Sequence, residues 1–445
     1  MELLQQNTKC SKKGRCKKMV GKNYDKMVLG SGIEYSTNCD ITGVNNNVLV
    51  AGGSGSGKTY SIVLKRLIEA QNSNLIVTTT KNRVYDLTHR MLENRNYQVL
   101  KLDFSYPELS NCYWNPLDVG SWQDITQLAT DIVYANCKRM ESTSVDPYWN
   151  ETSISLLSSI IGYVKCTKGN KANMTDVISM FHSLKITNNG SEYVETNLDE
   201  KFQNFEEKCG SDHFVVQMWK TVSVLPVKTI KCVIGSLATT LDKVFTDDVL
   251  KNLSPEKEKK CFSISEFATQ KSIIFINISP CNVNLYYLLN ILYANIFNKL
   301  IELAENRGGV LNIPIQIVAD DFACAGAVNN FQQYISIFRQ AGISTLLLIQ
   351  SEAQLENIYG DSAARIIIDN CDTYVYMGCN DRISARNISE KIDRPLNEVL
   401  NMKIGKEIIM RRGKKPQIFV NRYEILKDKE YKKLLKEYEN EMTGR

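Results

Sequence analysis

Val48-Leu49-Val50-Ala51-Gly52-Gly53-Ser54-Gly55-Ser56-Gly57-Lys58-Thr59 is the stretch on which the fold turns. Its four apolar residues predict a short buried strand. Tyr60 to Ala70 predicts a helix, because Ile62, Val63, Leu67 and Ala70 fall near helical spacing. Gly52–Thr59 between them has the GxxxxGK[ST] spacing in the setting that gives it meaning, with a strand before and a helix after. Each residue type has a physical reason. Gly52, Gly53, Ser54, Gly55, Ser56 and Gly57 let main-chain N–H groups curl around phosphate oxygens, and the helix N-terminus turns its partial positive charge on the same anion. Lys58 is expected to neutralise the β- and γ-phosphates, and the Thr59 hydroxyl to hold Mg²⁺.

Further strands are predicted at Leu75-Ile76-Val77 and at Tyr97–Leu102, with a helix over Tyr85–Glu93 between them. From about Ser121 to Lys243 the texture becomes helical: Ile125, Leu128, Ala129 and Ile132 keep one period, and Ile154, Leu157, Ile160 and Ile161 another. Thr187-Asn188-Asn189-Gly190-Ser191 interrupts this stretch as a predicted loop. Strands return at Ile273–Asn277, Ile315–Ala319, Ser344–Ile349 and Thr373–Met377, with helical spans between. Short, continuously apolar runs separated by helices predict an α/β fold with a mostly parallel central sheet flanked by helices. The expected division is a basic arm and lead-in over 1–44 and a nucleotide-binding unit over 45–120 and 244–425. An all-α insertion over 121–243 splits that unit, and a charged C-terminal helix covers 426–445.

A phosphate cradle needs a distant carboxylate, at the end of a neighbouring strand, to complete the cation's shell. Ile315-Gln316-Ile317-Val318-Ala319-Asp320-Asp321 supplies a candidate. Asp320 stands where the metal carboxylate should be, and Asp321 where a residue orients the attacking water. The alternative is an ordinary strand-to-loop turn, where Asp is common.

Composition bounds the rest. The formal charge is +5, but residues 1–30 alone carry +6, so the body is near neutral and has no chain-wide basic footprint. The 13 cysteines are scattered and form no CxxC pair, which suits reduced thiols, and Cys10 and Cys16 have no partnering histidine for zinc. His89, His182 and His213 share no ligand spacing. No apolar run approaches the roughly 20 residues that span a bilayer. Tyr286 and Tyr287 sit in an apolar helix and read as core. Tyr431, Leu434, Leu435 and Tyr438 give the last helix one apolar stripe, for packing on the domain or docking a partner.

Beyond the cradle, the residues resemble the TraG-type coupling proteins of type IV secretion and bacterial conjugation. Asp320-Asp321-Phe322-Ala323-Cys324-Ala325-Gly326 is similar to that family's DEFxxxG, and Gln350-Ser351-Glu352-Ala353-Gln354-Leu355 with Tyr359-Gly360 to its QSxxQL…YG. Arg339–Ser344, Asn370–Thr373, Met377–Asp381, Tyr113–Leu117 and Asp146–Trp149 continue the match. The resemblance implies a RecA-like P-loop ATPase with an inserted all-α domain. It implies ATP and Mg²⁺ as ligands, a homo-hexameric ring, and DNA, relaxase and channel components at the inner membrane as partners. It places Lys58 and Thr59 on phosphate and Mg²⁺, Asp320 on Mg²⁺ and Asp321 at the water. Arg339 takes the place of an arginine finger reaching the neighbouring subunit, and Gln350 that of a γ-phosphate sensor. On the residues alone, Arg339 is equally a cation favouring a helix C-terminus.

The chain departs from the pattern in three ways. Asp321 stands where the family keeps Glu, and Thr79-Thr80-Lys81-Asn82-Arg83 retains only the lysine of its Asp-Pro-Lys-Gly-Glu block. The transmembrane helices that begin typical members have no counterpart here, so the implied location is cytoplasmic and peripheral at the membrane face. The basic arm would serve there, with a solvated tail as its alternative. Two other functions stay open: a weakly hydrolysing, nucleotide-dependent substrate receptor, and a RecA-like DNA translocase or helicase outside secretion.

Overall fold

The structure, a computed structural model, describes residues 24–135, 147–187, 195–255, 258–279, 281–322 and 327–443. Most of the basic arm with Cys10 and Cys16, Asp146, the loop at 188–191, and 323–326 of the DEFxxxG-like block lie outside the described residues.

Among the described residues nine strands form the main sheet. In chain order they are β1 (Val48–Ala51), β2 (Asn74–Thr79), β3 (Gln98–Asp103), β4 (Ser272–Asn277), β5 (Ile315–Ala319), β6 (Ile343–Ile349), β7 (Thr373–Tyr376), β8 (Lys406–Arg411) and β9 (Gln417–Asn421). Across the sheet they lie β9-β8-β7-β1-β6-β5-β2-β4-β3. The first seven in chain order pair in parallel, and β8 and β9 are antiparallel. Every residue of β1, β2, β4, β5 and β7 is buried, which is why these strands read as unbroken apolar runs.

Two features differ from the sequence expectation. First, β5 is not the immediate neighbour of β1, because β6 lies between them. Two strand spacings of about 4.8 Å therefore separate the cradle strand from the carboxylate strand. Second, the apparent lead-in is structured from its described start. Lys26–Gly30 and Ile33–Ser36 pair as a hairpin, Met27 and Leu29 are buried, and Ser31 N–H donates to the Asn421 carbonyl at the end of β9. The hairpin is thereby tied to the last strand of the sheet.

Between β3 and β4 the described residues are nearly all helix: Trp122–Tyr134, Pro147–Lys168, Met174–His182, Asp199–Cys209, Phe214–Ser223, Val227–Val244 and Asp247–Asn252. Ser121 and Asp124 close a capping box at the first of these. Ile125, Leu128, Ala129, Ile132, Ile154, Leu157, Ile160 and Ile161 are all buried, so the periodic residues do face the core. Tyr286 and Tyr287 are also buried. In the last helix, Lys429–Met442, Tyr431 and Leu434 are buried while Leu435 and Tyr438 pack partly buried against the same cluster.

Candidate functional site

The cradle follows β1 at the carboxyl ends of the parallel strands, where open α/β sheets place their ligands. Gly55 and Gly57 have φ of 74° and 86°, left-handed values that glycine adopts without penalty. Neighbouring strands hold the loop: Gly52 N–H donates to the Ile349 carbonyl at 3.1 Å and Gly53 N–H to the Gly378 carbonyl at 2.8 Å. A Cβ on Gly52 would stand 2.7 Å from Ser56 Oγ and 3.0 Å from Met377 Cβ, so the turn closes only on glycine. The helix that follows begins with a π-wound segment, Thr59–Leu64, and continues as Lys65–Ile68.

Lys58 is buried and folds back over the loop, its Nζ donating to the carbonyls of Gly52 and, at 3.2 Å, Gly53. Thr59 Oγ1 donates to Asp320 Oδ2 at 2.7 Å, across 261 positions of sequence and one intervening strand. The Asp320 N–H is fixed by the Thr78 carbonyl of β2 at 3.1 Å. Asp320 is 5% exposed, and burial raises its carboxyl pKa. The Thr59 hydrogen bond works against that rise, the Asp321 charge adds to it, and Lys81 and Lys58 oppose it.

The remaining sequence candidates separate into two groups. Gln350 follows β6 directly, beside the Ile349 carbonyl that holds Gly52, and its own N–H is fixed by Gln354 Oε1 at 3.1 Å. Asp321 is half-buried and has φ of 56°, a left-handed backbone that Asp tolerates better than most residues. Both follow the carboxyl ends of their strands, the end of the sheet at which the cradle lies. Arg339 does not. It is exposed in the last turn of helix Phe331–Ala341, immediately before β6 starts, and the nearby groups include Cys39. The seven residues of β6 at about 3.3 Å each put it roughly 20 Å from its own cradle, at the opposite, amino end of the strands.

Several signature residues turn out to brace the structure. The Asn370 carbonyl accepts from Asn45 and Asn47 side chains, and Asp372 from Asn45 N–H, so Asn370–Thr373 locks the entry to β1. Glu352 is buried and accepts from Tyr374 Oη at 2.8 Å and Asn387 Nδ2 at 2.6 Å. Sequence reasoning passed over two cations near the cradle. Lys81, just past the end of β2, acts electrostatically on Asp320. Arg422, just past β9, has its Nη1 2.7 Å from where a Cβ on Gly57 would stand. Lys81 could have been suspected because β2 is adjacent to β5; nothing local marks Arg422.

A hydroxyl and one carboxylate as hard oxygen donors suit Mg²⁺, which takes few protein ligands and keeps water and phosphate oxygens for the rest. Among the described residues no group of three or more His, Cys, Asp or Glu is placed to hold a metal; a hydroxyl with one carboxylate would suit a cation that takes its other ligands from a nucleotide and water. The cradle and its carboxylate fit that group.

Fold and cradle together define a RecA-like P-loop nucleotide-binding protein. More particularly, residues 1–394 match the family described as type IV secretory system conjugative DNA transfer, and the chain belongs to it. The type IV secretion system-coupling protein VirD4 of Bartonella quintana (strain Toulouse) is 27% identical over 138 residues, which are 31% of this chain but 21% of that protein. The bacterial conjugative coupling protein TrwBdeltaN70 in an unbound form superposes with a TM-score of 0.65 at 13% identity, covering 91% of this chain and 92% of that one. The plasmid coupling protein TrwB in complex with ADP and Mg²⁺ gives 0.64 at 13% identity, covering 85% and 86%. Among the described residues no helix is long and apolar enough to cross a membrane.

Proposed function

We propose that the chain is the ATP-hydrolysing engine of a coupling protein that recruits or moves DNA and its relaxase to a type IV secretion channel. The observation that carries this is the Thr59–Asp320 contact of 2.7 Å, which joins the cradle to its carboxylate across the sheet. Family membership and the ADP–Mg²⁺ complex of the structurally similar TrwB support the choice of substrate and cation. In this reading residues 45–120 and 244–425 form the nucleotide-binding unit, 121–243 its all-α insertion, 1–44 a lead-in to the membrane face and 426–445 a closing helix.

Main-chain N–H groups of 52–59 and Lys58, released from the Gly52 and Gly53 carbonyls, grip the phosphates, while Thr59 and Asp320 hold the cation. Bound Mg²⁺ supplies charge neutralisation on the phosphoryl oxygens. Asp321 orients the attacking water and Gln350 reports on the terminal phosphate. Arg339 lies too far from its own cradle to serve it; in the role that the family resemblance implies, it would complete the site of a neighbouring subunit, and a ring, taken as a hexamer, would be part of the chemistry.

Mass measurement of the full chain with and without ATP–Mg²⁺ and DNA, run beside phosphate release, tests assembly and turnover together. Turnover by the oligomer and its loss in Lys58→Ala are expected; equal turnover by both proteins overturns the reading. A second reading, the weakly hydrolysing receptor, is favoured by Asp321, one methylene shorter than Glu on a left-handed backbone. A large gain in phosphate release on Asp321→Glu would select it.

A further inference from the structure

We propose that Arg422 is a nucleotide ligand supplied in cis by the final sheet hairpin, its guanidinium binding the phosphate chain held by residues 52–59. The proposal rests on the P-loop reading above and adds to it a residue that no motif marks.

Its starting point is position. The Nη1 and Cζ atoms of Arg422 stand 2.7 and 3.7 Å from the place of a Cβ on Gly57, the residue immediately before Lys58. The guanidinium therefore lies against the wall of the anion cradle, and Gly57 leaves the space it occupies. Its approach is fixed from behind. Arg422 N–H donates to the Gly405 carbonyl at 2.9 Å, and Tyr423, next in sequence, donates through Oη to Asp428 at 2.5 Å. Asp428 in turn accepts from Lys65 of the cradle helix at 2.8 Å, and Lys65 Nζ lies 4.8 Å from the Tyr423 ring centre. The segment 422–428 is thus strapped to the helix that follows the cradle.

The second observation is an unmet electrostatic need. Arg422 is half-buried, and its Nε is buried with no hydrogen-bond partner among the described residues. The one carboxylate whose charge acts on it is Glu407 of β8, fully buried, and neither Glu407 oxygen has a hydrogen-bond partner among the described residues either. Packing confines Glu407: a Cβ on Gly30 in the N-terminal hairpin would stand 2.7 Å from its Oε1. Burial also favours the neutral form of Glu407, which weakens it as a counter-ion at neutral pH. A planar fork of donors, partly dehydrated, incompletely paired and leaning on a phosphate cradle, is arranged for bidentate recognition of phosphate oxygens, a geometry that lysine does not reproduce.

The test measures the affinity of the full chain for a fluorescent ADP analogue with Mg²⁺, by titration, beside thermal melting without nucleotide. Arg422→Ala is expected to weaken binding by roughly tenfold to a hundredfold, as loss of a charge-assisted hydrogen bond does. Arg422→Lys should recover only part of the loss. Glu407→Gln should bind within about twofold of the unsubstituted chain, because in this proposal Glu407 is only a resting neighbour. Binding by Arg422→Ala within about twofold of the unsubstituted chain overturns the proposal. A loss in Glu407→Gln equal to that in Arg422→Ala also overturns it, since Arg422 would then act by holding the hairpin. If Arg422→Ala melts early, Arg422→Lys decides by the same criterion. Lys58→Ala separates the two readings: with a working P-loop it loses binding, and full binding by Lys58→Ala overturns the P-loop reading together with this one.

Discussion

Two acid–base pairs lie near the cradle helix, and they are built in opposite ways. In one, Arg66 Nη2 donates to Asp25 Oδ2 at 2.9 Å with both side chains at most 1% exposed. Asp25 also accepts the main-chain N–H groups of Gln71 at 3.1 Å, Asn72 at 2.8 Å and Ser73 at 3.2 Å, and Arg66 Nε donates to Gln316 at 2.6 Å. Among the described residues only Nη1 of Arg66 is left without a partner. In the other, the fully buried Glu407 acts on the half-buried Arg422, with no hydrogen bond at either Glu407 oxygen among the described residues. A buried pair that serves architecture is closed by its own backbone. One that is left open, beside an anion cradle, has capacity for something that arrives from outside.

The largest effect should come from breaking the closed pair. Asp25→Ala leaves Arg66 buried without its carboxylate and removes the acceptor for three main-chain N–H groups, at a cost of about 3–5 kcal/mol. Urea unfolding of the full chain measures it; a change below about 1 kcal/mol would show that the pair is not what holds the helix end.

The open pair should respond with the opposite sign and through pH. The Glu407 carboxyl is pushed up to about 8 from its ordinary 4.5, burial being the cause and the Arg422 charge opposing it. The folded state therefore holds this proton more tightly than the unfolded chain does. Stability from this group is fully present below about 4.5 and declines as pH rises toward 8. Glu407→Gln should remove that decline and gain about 2–3 kcal/mol relative to the parent at high pH, with little difference in mild acid. Parallel denaturation curves at acid and alkaline pH decide; an equal difference at both removes the carboxyl as the cause.

Asp428 gives the mirror case. It caps the last helix by accepting from the N–H groups of Glu430 and Tyr431, and it accepts from Lys65 and Tyr423. Burial works against its ionised form, but those hydrogen bonds outweigh it and hold the carboxyl down at about 2. Its contribution is present above the ordinary value of 3.8 and is lost as pH falls through about 2. Asp428→Asn should cost about 1–2 kcal/mol at neutral pH, and the last helix should loosen first in hydrogen exchange. Global exchange with no local change there would contradict a latch.

The closed and open pairs also divide what the sequence could disclose. The buried strands β1, β2, β4, β5, β6 and β7 announce themselves because burial on both faces demands unbroken apolar runs. Strand β9 and the second strand of the N-terminal hairpin are intermediate or exposed along their length, so neither carries that signature, although Gly413-Lys414-Lys415-Pro416 marks the turn before β9. In the site, Thr59 and Asp320 were legible because the chemistry fixes residue types at both ends. The intervening β6 was not, since strand order is a property of long-range pairing. The same holds for the distance of Arg339 from its own cradle. Arg422 was invisible for a further reason: its surroundings come from Gly57 and from Gly405 with Glu407 at the start of β8, two distant stretches with no shared pattern.

A third pair sharpens the rule at the smallest scale. Asp372 is nearly buried, with its side chain 3% exposed, while its partner Arg412, at 3.2 Å, is 69% exposed. If the charge partner were what a buried carboxylate requires, Arg412→Ala would be severe. But Asp372 Oδ2 already accepts Asn45 N–H at 2.7 Å, and the two segments are joined again by Asp372 N–H donating to Asn45 Oδ1 at 3.1 Å. The guanidinium pays the entropy of holding still in high dielectric, so its removal should change stability by less than about 0.5 kcal/mol. Asp372→Ala should cost several times more, because it frees the entry to β1 and with it the start of the cradle strand. Comparing the two variants by urea unfolding isolates the main-chain donor as the deciding partner. Equal losses would mean that the exposed cation, and not the backbone, is what the carboxylate depends on.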